Sequence, residues 1–506
     1  MRNPLPNHQA HAKDVCIIGA GISGLRAAHI LSDPSLGFNV TILEARDRPG
    51  GRVYQTADLG LPVDLGATWI HGTEGNPIAA LAKKIGCSTV SCGAVYSICD
   101  ASGNWLDRQV ARQRYEEVWD ILEKAMEHSM SHRESIPDNA KMMDFFCDEL
   151  ESKSKSQPDP DSYISLMRQI GEMWGAFMGD DWQRQSLKNV WLEAGLEGDN
   201  LFMASTYKGI LDFLLETTRD KCTLRLNCEV TSIISHSPDV VQVDSTDGFS
   251  AVFGQVIVTT PLGWLKRNHD AFYPPLPPKI SNAIQSLGYG NLDKVFIKFP
   301  QPFWNDKIGQ PSMDDQYANT AAEPAFPIES LFLQPEYSQN TNPAKWRTEI
   351  ISYSGLPDQY AQPIIMFFVY GQWGRHVTGL VRGTKPDSEE YRRILYDLFH
   401  PYFSKLPNYD PASANCQPSD FLLTDWQNDK FAGHGSFTNE PVGSGDCSQY
   451  SDALRKGMGE ERKIWFAGEH TSPPGGVGTV AGAYWSGEEA ARKVASSHGL
   501  RPSSST

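Results

Sequence analysis

The stretch DVCIIGAGISGLRAAHILSD, residues 14–33, constrains the fold more than any other part of the chain. A short apolar run, Val15 to Ile18, meets glycines at the G-x-G-x-x-G spacing, Gly19, Gly21 and Gly24. It then passes into a helical pattern carried by Leu25, Ala28, Ile30 and Leu31. Each glycine answers a separate demand. The first permits a tight turn, the second lets main chain approach a pyrophosphate, and the third lets helix and strand pack closely. The helix N-terminus then faces phosphate charge. A second strand pattern, FNVTILEA, ends at Glu44, about 20 residues beyond the last glycine, where a carboxylate accepts hydrogen bonds from a ribose hydroxyl pair. Three glycines alone are a weak signal. Strand, loop, helix, strand and terminal acid in order predict a dinucleotide site. An acid at this place disfavours a ribose phosphate, and with it NADP.

EARDRPGGR follows at once, so Arg46, Gly50, Gly51 and Arg52 form a second glycine turn flanked by guanidinium groups. Two phosphate-facing loops in tandem suit a cofactor with a long polar middle. At 506 residues the chain exceeds one ordinary core. Helical periodicity dominates residues 105–150 and 163–217; in RYEEVWDILEKAMEHSM, Tyr115, Val118, Trp119, Leu122 and Met126 share a face. Elsewhere strand patterns prevail. CTLRLNCEVTSIIS and VVQVDS read as paired strands, FGQVIVTTP as an apolar strand ending at a turn, and KVFIKF and IIMFFVYG as further strands. ESKSKSQPDPDS (151–162) reads as a connector, and 313–325 and 337–346 as loops. Residues 1–12 and 497–506 read as flexible tails. In LDKVFIKFP, Val295, Ile297 and Phe299 face one way, and Leu292, Lys294, Phe296 and Lys298 the other. A lysine between Leu292 and Phe296 needs a partner or a task. Lys298 better suits an edge in solvent.

The net charge of −16 argues against nucleic acid as a partner. It serves solubility first, and steering of cationic small molecules second. No run of about 18 apolar residues is present, so no membrane span is expected. The opening MRNPLPNHQAHAKD has no apolar core, which predicts a cytoplasmic protein. Nine scattered cysteines fit reduced thiols, and without a C-x-x-C pair no metal is expected.

EARDRPGGR, together with DLGATWIHG (64–72) and IWFAGEHTSPPGGVGTVAGAYWSGEEAA (464–491), resembles the flavin-containing amine oxidase family. That family includes monoamine, polyamine and L-amino-acid oxidases and flavin histone demethylases. The similarity runs along nearly the whole chain. It implies an α/β plus α+β architecture, with a discontinuous Rossmann-like FAD-binding domain (13–90, 219–270 and 455–496). A substrate-binding domain of mixed sheet and helices (91–218 and 271–454) is inserted between its pieces.

The resemblance also implies roles for individual residues. Gly66, Ala67, Thr68 and Trp69 would pass beside the isoalloxazine ring, and Val230 beside the adenine end. Glu469 would lie by the ribityl-phosphate region, and Thr479 and Val480 against the ring at the start of the last helix. Trp426 would pack near the flavin, and Lys294 would reach the ring's reactive nitrogen through water. His71, in WIHG, resembles the animal and yeast polyamine oxidases, where a histidine lies near flavin and substrate amine; plant enzymes tend to carry glutamate near here.

Two departures refine this. Where monoamine oxidases tether flavin through cysteine, AGHGSF carries Ser436, so the FAD is expected to be non-covalent. Phe437 would form one wall of an amine cage, but the opposite position falls at Thr479, which points to a longer channel. Tyr370, Trp373, Trp191 and Glu193 are further channel candidates. The expected activity is oxidation of polyamines or their N-acetyl derivatives at the carbon next to nitrogen, with O2 reduced to H2O2. Other amines or L-amino acids are alternative substrates. An amino acid needs an arginine for its carboxylate, for which Arg375 is the candidate. A non-catalytic flavin-binding role is a third alternative; the demethylases' long helical insertion is not visible here.

Overall fold

The computed structural model describes residues 11–91, 97–305, 326–357 and 359–502. The loop expected at 313–325 and residues 1–10 of the N-terminal tail lie outside these. The apolar strand before the glycines is central to a five-stranded parallel sheet. Its order is Ile464–Phe466, Gln255–Val258, Asp14–Ile18, Asn39–Leu43 and Cys222–Arg225. Val15, Cys16 and Ile17 have no exposed surface, as expected of a strand covered on both faces. Ile18 pairs with Val258 on one side and Leu43 on the other. Gly19 and Glu44 therefore leave the sheet together at the carboxyl ends of their strands, where open parallel sheets bind ligands.

The helix Ile22–Leu31 packs on the helix Val480–Ser497 near the chain's end. The crossing is close because of Gly487, where a Cβ would stand 2.1 Å from the Ser23 carbonyl oxygen. Arg26 clamps the pair, bonding Glu488 at 2.6 Å and lying 4.5 Å over the Tyr484 ring. The helix Lys208–Thr218 joins this core through Ile210, Leu211 and Leu214.

Two readings of the sequence are corrected. CTLRLNCEVTSIIS is not one strand paired with VVQVDS. Cys222–Arg225 joins the parallel sheet beside Asn39–Leu43, and only Val230–Ser237 pairs antiparallel with Val240–Ser245. Asn227, at φ 55°, turns the chain between the two, a conformation asparagine tolerates better than most residues. The connector at 151–162 is shorter than expected. The helix Met142–Ser154 runs into it, and Pro160–Gly171 starts within it. Asp159 caps that start by accepting from the Ser162 amide, and Pro160 takes the first turn, where its missing N–H costs nothing.

A second, six-stranded sheet carries Lys294. Its order is Asp420–Leu423, Leu292–Lys298, Ile364–Tyr370, Thr348–Ser352, Glu329–Phe332 and Ser97–Cys99. Leu292–Lys298 pairs with Ile364–Tyr370 along its full length. Val295, Ile297 and Phe367 pack into a core with Leu395, Phe399 and Tyr402 of the helix Glu389–Phe403. Lys294, Phe368, Glu349 and Glu329 turn instead to a cavity. The long helix Arg108–His132 lends Tyr115, Trp119 and Met126 to the same cavity. Among the described residues no helix is long and apolar enough to cross a membrane.

Candidate active site

One cavity of about 1070 Å³ runs from the glycine loop, past Lys294, to Glu329 and Glu349. Its two ends come from the two sheets, so each half is built separately.

At the glycine end, the buried Glu44 is fixed by main chain. One oxygen accepts from the Ala20 amide at 2.8 Å and the other from the Arg46 amide at 2.9 Å. A carboxylate has about four lone-pair sites, so acceptor capacity remains for a ribose. Small residues are required where backbones cross. A Cβ on Gly66 would lie 1.7 Å from the Arg52 carbonyl oxygen, and one on Gly24 2.0 Å from that of Gly19. Arg46 reaches Asp429 at 2.8 Å and lies over the Phe431 ring.

Arg52 ties three distant segments together, donating to the Ser436 carbonyl at 2.7 Å and to Glu469 at 2.8 Å. Glu469 also accepts from the Gly478 amide at 3.1 Å and the Thr438 amide at 3.4 Å. Burial pushes its carboxyl up, but Arg52, His470 and these hydrogen bonds together hold it below the ordinary range. Removing the cation strands a buried charge, which costs about 3–5 kcal/mol. Arg52→Met is therefore expected to melt well below the wild type in a thermal scan. An unchanged melting temperature would show that the pair contributes nothing net.

The last helix begins at the cavity. Thr479 is its cap, accepting from the Gly482 amide at 3.0 Å and donating to the Gly476 carbonyl at 2.8 Å. Its hydroxyl is thus engaged in the cap. Val480 is the first helical residue, and the positive end of the dipole points toward the cavity.

In the middle, the segment 64–69 is held from outside by its carbonyls. Lys294 Nζ donates to the Asp64 carbonyl at 3.0 Å and to that of Gly66 at 2.5 Å, with Thr68 Oγ1 at 3.5 Å. Trp426 Nε1 donates to the Leu65 carbonyl at 2.9 Å, and the Tyr207 hydroxyl to that of Trp69 at 2.6 Å. Burial lowers the Lys294 ammonium to about 7, against the pull of the Asp64 carboxylate. Asp64 is raised by the same burial to about 7, opposed by Lys294 and by bonds from Gln55 and the Tyr207 amide. His71 is pushed down to about 4 by burial, with a hydrogen bond to Asn200 opposing, so its imidazole is neutral near pH 7. Ser436 Oγ bonds the Leu292 amide at 2.9 Å and its carbonyl at 3.0 Å.

The structure places every candidate cofactor, catalytic and substrate residue on the cavity wall except Gly24, which lies behind the loop against Gly19. Val230, Trp426 and Phe437 are on that wall. Of the channel candidates only Glu193 lines it. Trp373 is a core residue, 1% exposed and stacked on Trp346 at 4.9 Å; Trp191 and Tyr370 also lie off the wall. Arg375 is turned away and donates to Asn291 Oδ1 at 2.9 Å. Lys298 is not free in solvent, since it donates to the Leu59 carbonyl at 2.5 Å.

Sequence reasoning missed three groups. Asp293, with no exposed surface, accepts from the Trp426 amide and the Thr424 hydroxyl, both at 2.8 Å, and so braces the Trp426 loop. An acid inside LDKVFIKF was the available signal. Glu329 and Glu349 line the far end of the cavity. Nothing short of strand register could have joined them.

The chain belongs to the flavin containing amine oxidoreductase family, whose model matches residues 22–495. A flavin is the cofactor this family implies, and the glycine cradles, the fixed Glu44 and the open helix N-terminus fit a dinucleotide form of it. The chain is similar to probable polyamine oxidase 4 of Arabidopsis thaliana, 30% identical over 57% of this chain and 59% of that protein. It is 32% identical to polyamine oxidase 5 of Oryza sativa subsp. japonica over 59% of this chain and 61% of that protein. Lysine-specific histone demethylase 1 homolog 1 of Arabidopsis thaliana is 29% identical over 97% of this chain and 54% of its own length. The matches thus span less than two thirds of each of these relatives.

Proposed function

We propose that this chain is an FAD-dependent amine oxidase acting on polyamines or their N-acetyl derivatives. The carrying observation is the single cavity that joins the glycine loop and Glu44 to Lys294 and His71. The parallel sheet and its two covering helices would form the Rossmann-like FAD domain (13–90, 219–270, 455–496). Residues 91–218 and 271–454 would carry the substrate. The helix Lys208–Thr218 packs on the first of these cores, and we assign it there. Serine at 436 offers no thiol, which supports non-covalent FAD.

Bound FAD would supply the two-electron chemistry, taking a hydride equivalent from the carbon next to nitrogen and passing the electrons to O2 as H2O2. The chain's residues bind and orient. Neutral His71 can accept a hydrogen bond from an amine without repelling it. Phe437 offers a flat wall, and Gly478 lets it stand close. Lys294 and Trp426 fix the segment that would lie against the ring. The imine product hydrolyses to an aldehyde and a shorter amine.

An L-amino-acid substrate is disfavoured because Arg375 is committed away from the cavity. A second reading keeps the chemistry and changes the amine. The relatives named lysine-specific histone demethylases align with 95–97% of this chain, which favours a lysine-like alkylamine as that alternative. The test is peroxide release by the yellow protein from spermine, spermidine, their acetylated forms, benzylamine and L-amino acids. Turnover of the polyamine group is expected. Turnover confined to benzylamine or amino acids would overturn the substrate assignment, and peroxide from none of them the oxidase reading.

A further inference from the structure

Two carboxyl groups meet at the end of the cavity remote from the glycine loop. Glu329 and Glu349 stand on adjacent antiparallel strands, Glu329–Phe332 and Thr348–Ser352. Leu331 pairs with Glu349, so Glu329 lies diagonally across from it on the same face, within reach of its side chain. The two residues are 7% and 8% exposed, and both line the cavity. Their carboxyl groups hydrogen-bond each other. Such a bond requires that one of them carries a proton, so the pair keeps one negative charge in a dry place.

No cation of the protein answers that charge. Arg347, two residues earlier, is committed to Glu172. No group of three or more potential metal ligands exists among the described residues, so two carboxyls alone do not make a metal centre. A buried net charge without a counter-ion is expensive, and ordinary packing gives no reason for the chain to keep it. A second polar group on the same wall is also unspent. Trp174 is 3% exposed, lines the cavity, and its Nε1 has no hydrogen-bond partner. Both features are those of a site completed by something that enters.

Strand register says where this lies relative to the chemistry. Lys294 pairs with Phe368, and Ile350 pairs with Phe367, so Glu349 stands beside Phe368 in the same cross-strand row as Lys294. Lys294 and Glu349 are thus two strand spacings apart, about 10 Å. Tyr115, Trp119, Trp174 and Phe177 line the cavity with apolar rings suited to methylenes.

We propose that Glu329 and Glu349 form a subsite for a second ammonium group of the substrate, about 10 Å from the reacting end, and so select diamines and polyamines over monoamines. The inference rests on the amine oxidase reading for what happens at Lys294, but not for the binding itself. A bound ammonium replaces the missing counter-charge, and the methylenes between cover the aromatic wall.

The test is equilibrium binding to the FAD-loaded chain reduced with dithionite, which cannot turn amines over. Straight-chain diamines of four to twelve carbons are compared by calorimetry with monoamines of the same lengths. A diamine of intermediate length is expected to bind at least about tenfold tighter than its monoamine, a difference of about 1.4 kcal/mol. Glu349→Gln, which keeps the hydrogen bond to Glu329, and the double variant Glu329→Gln/Glu349→Gln are expected to lose that preference while monoamine affinity holds. Equal affinities in the wild type, a preference that persists in the double variant, or equal loss of both ligands would each overturn the subsite. A diamine preference in a protein that releases no peroxide from any amine would retire the oxidase reading and leave the subsite standing.

Discussion

Gly24→Ala is expected to purify colourless, with flavin affinity reduced by about tenfold or more. The added Cβ would stand 2.0 Å from the Gly19 carbonyl oxygen and 3.1 Å from Thr259 Oγ1. The nearer atom is main chain, so no rotamer change relieves the contact. Either the glycine loop or the helix Ile22–Leu31 has to move. The helix is pinned on its other side, where Gly487 already brings the last helix onto Ser23. Overpacking of this kind costs about 1–3 kcal/mol when side chains can give way, and more when they cannot. The strain falls where Gly19 and Gly21 would meet the pyrophosphate, so cofactor binding is lost before the fold is. Gly379→Ala is the control. Its Cβ meets nothing within 4 Å in the helix Gly371–Leu380, and the change is expected to leave the colour and raise the melting temperature slightly. A Gly24→Ala protein as yellow and as stable as the wild type would show that the loop does not hold the cofactor.

That site was legible in the sequence because its determinants are local. Gly19, Gly21, Gly24 and Glu44 sit within one strand–helix–strand unit, and each glycine has its own steric reason. Lys294 was legible as an anomaly, a charge in an apolar row. Asp293 is the same kind of anomaly one position earlier, and it went unread because its partners, Thr424 and the Trp426 amide, lie about 130 residues away. Glu329 and Glu349 carry no local signal at all. Each sits in an ordinary strand pattern, ESLF and TEIIS, and they meet only through the register of two strands. Trp373 shows the reverse error. A tryptophan near a strand end reads equally well as channel wall or core, and stacking on Trp346 decides for core.

Lys294→Met is expected to lower turnover by about 100-fold or more while leaving flavin bound, within the range typical of a positioned ionisable group. Its Nζ holds the Asp64 and Gly66 carbonyls from behind, at 3.0 and 2.5 Å. Methionine fills the space and donates nothing, so two buried carbonyls lose their partner and the segment carrying Thr68 and Trp69 is free to shift. Stopped-flow absorbance separates the bleaching of bound flavin by amine from its recolouring by oxygen. Loss of both phases points to misplacement of the segment, and loss of recolouring alone to a role toward oxygen. Full activity would show that Lys294 has no part in the chemistry. The pH dependence of stability gives an independent check. Lys294 is lowered from 10.5 to about 7, so between those values the unfolded chain holds a proton that the native chain has released. Stability contributed at this site therefore rises as pH climbs through that window. Asp64 has the opposite sign. It is raised from 3.8 to about 7, the native state binds the extra proton, and stability falls over that lower window. Lys294→Met removes the rise and, by taking away the cation that lowers Asp64, extends the fall upward. Denaturant unfolding near pH 7 and again near pH 9 is thus expected to show the wild type gaining on the variant. A constant difference between the two pH values would mean that the buried lysine keeps its proton throughout, held by the Asp64 carboxylate as a permanent ion pair.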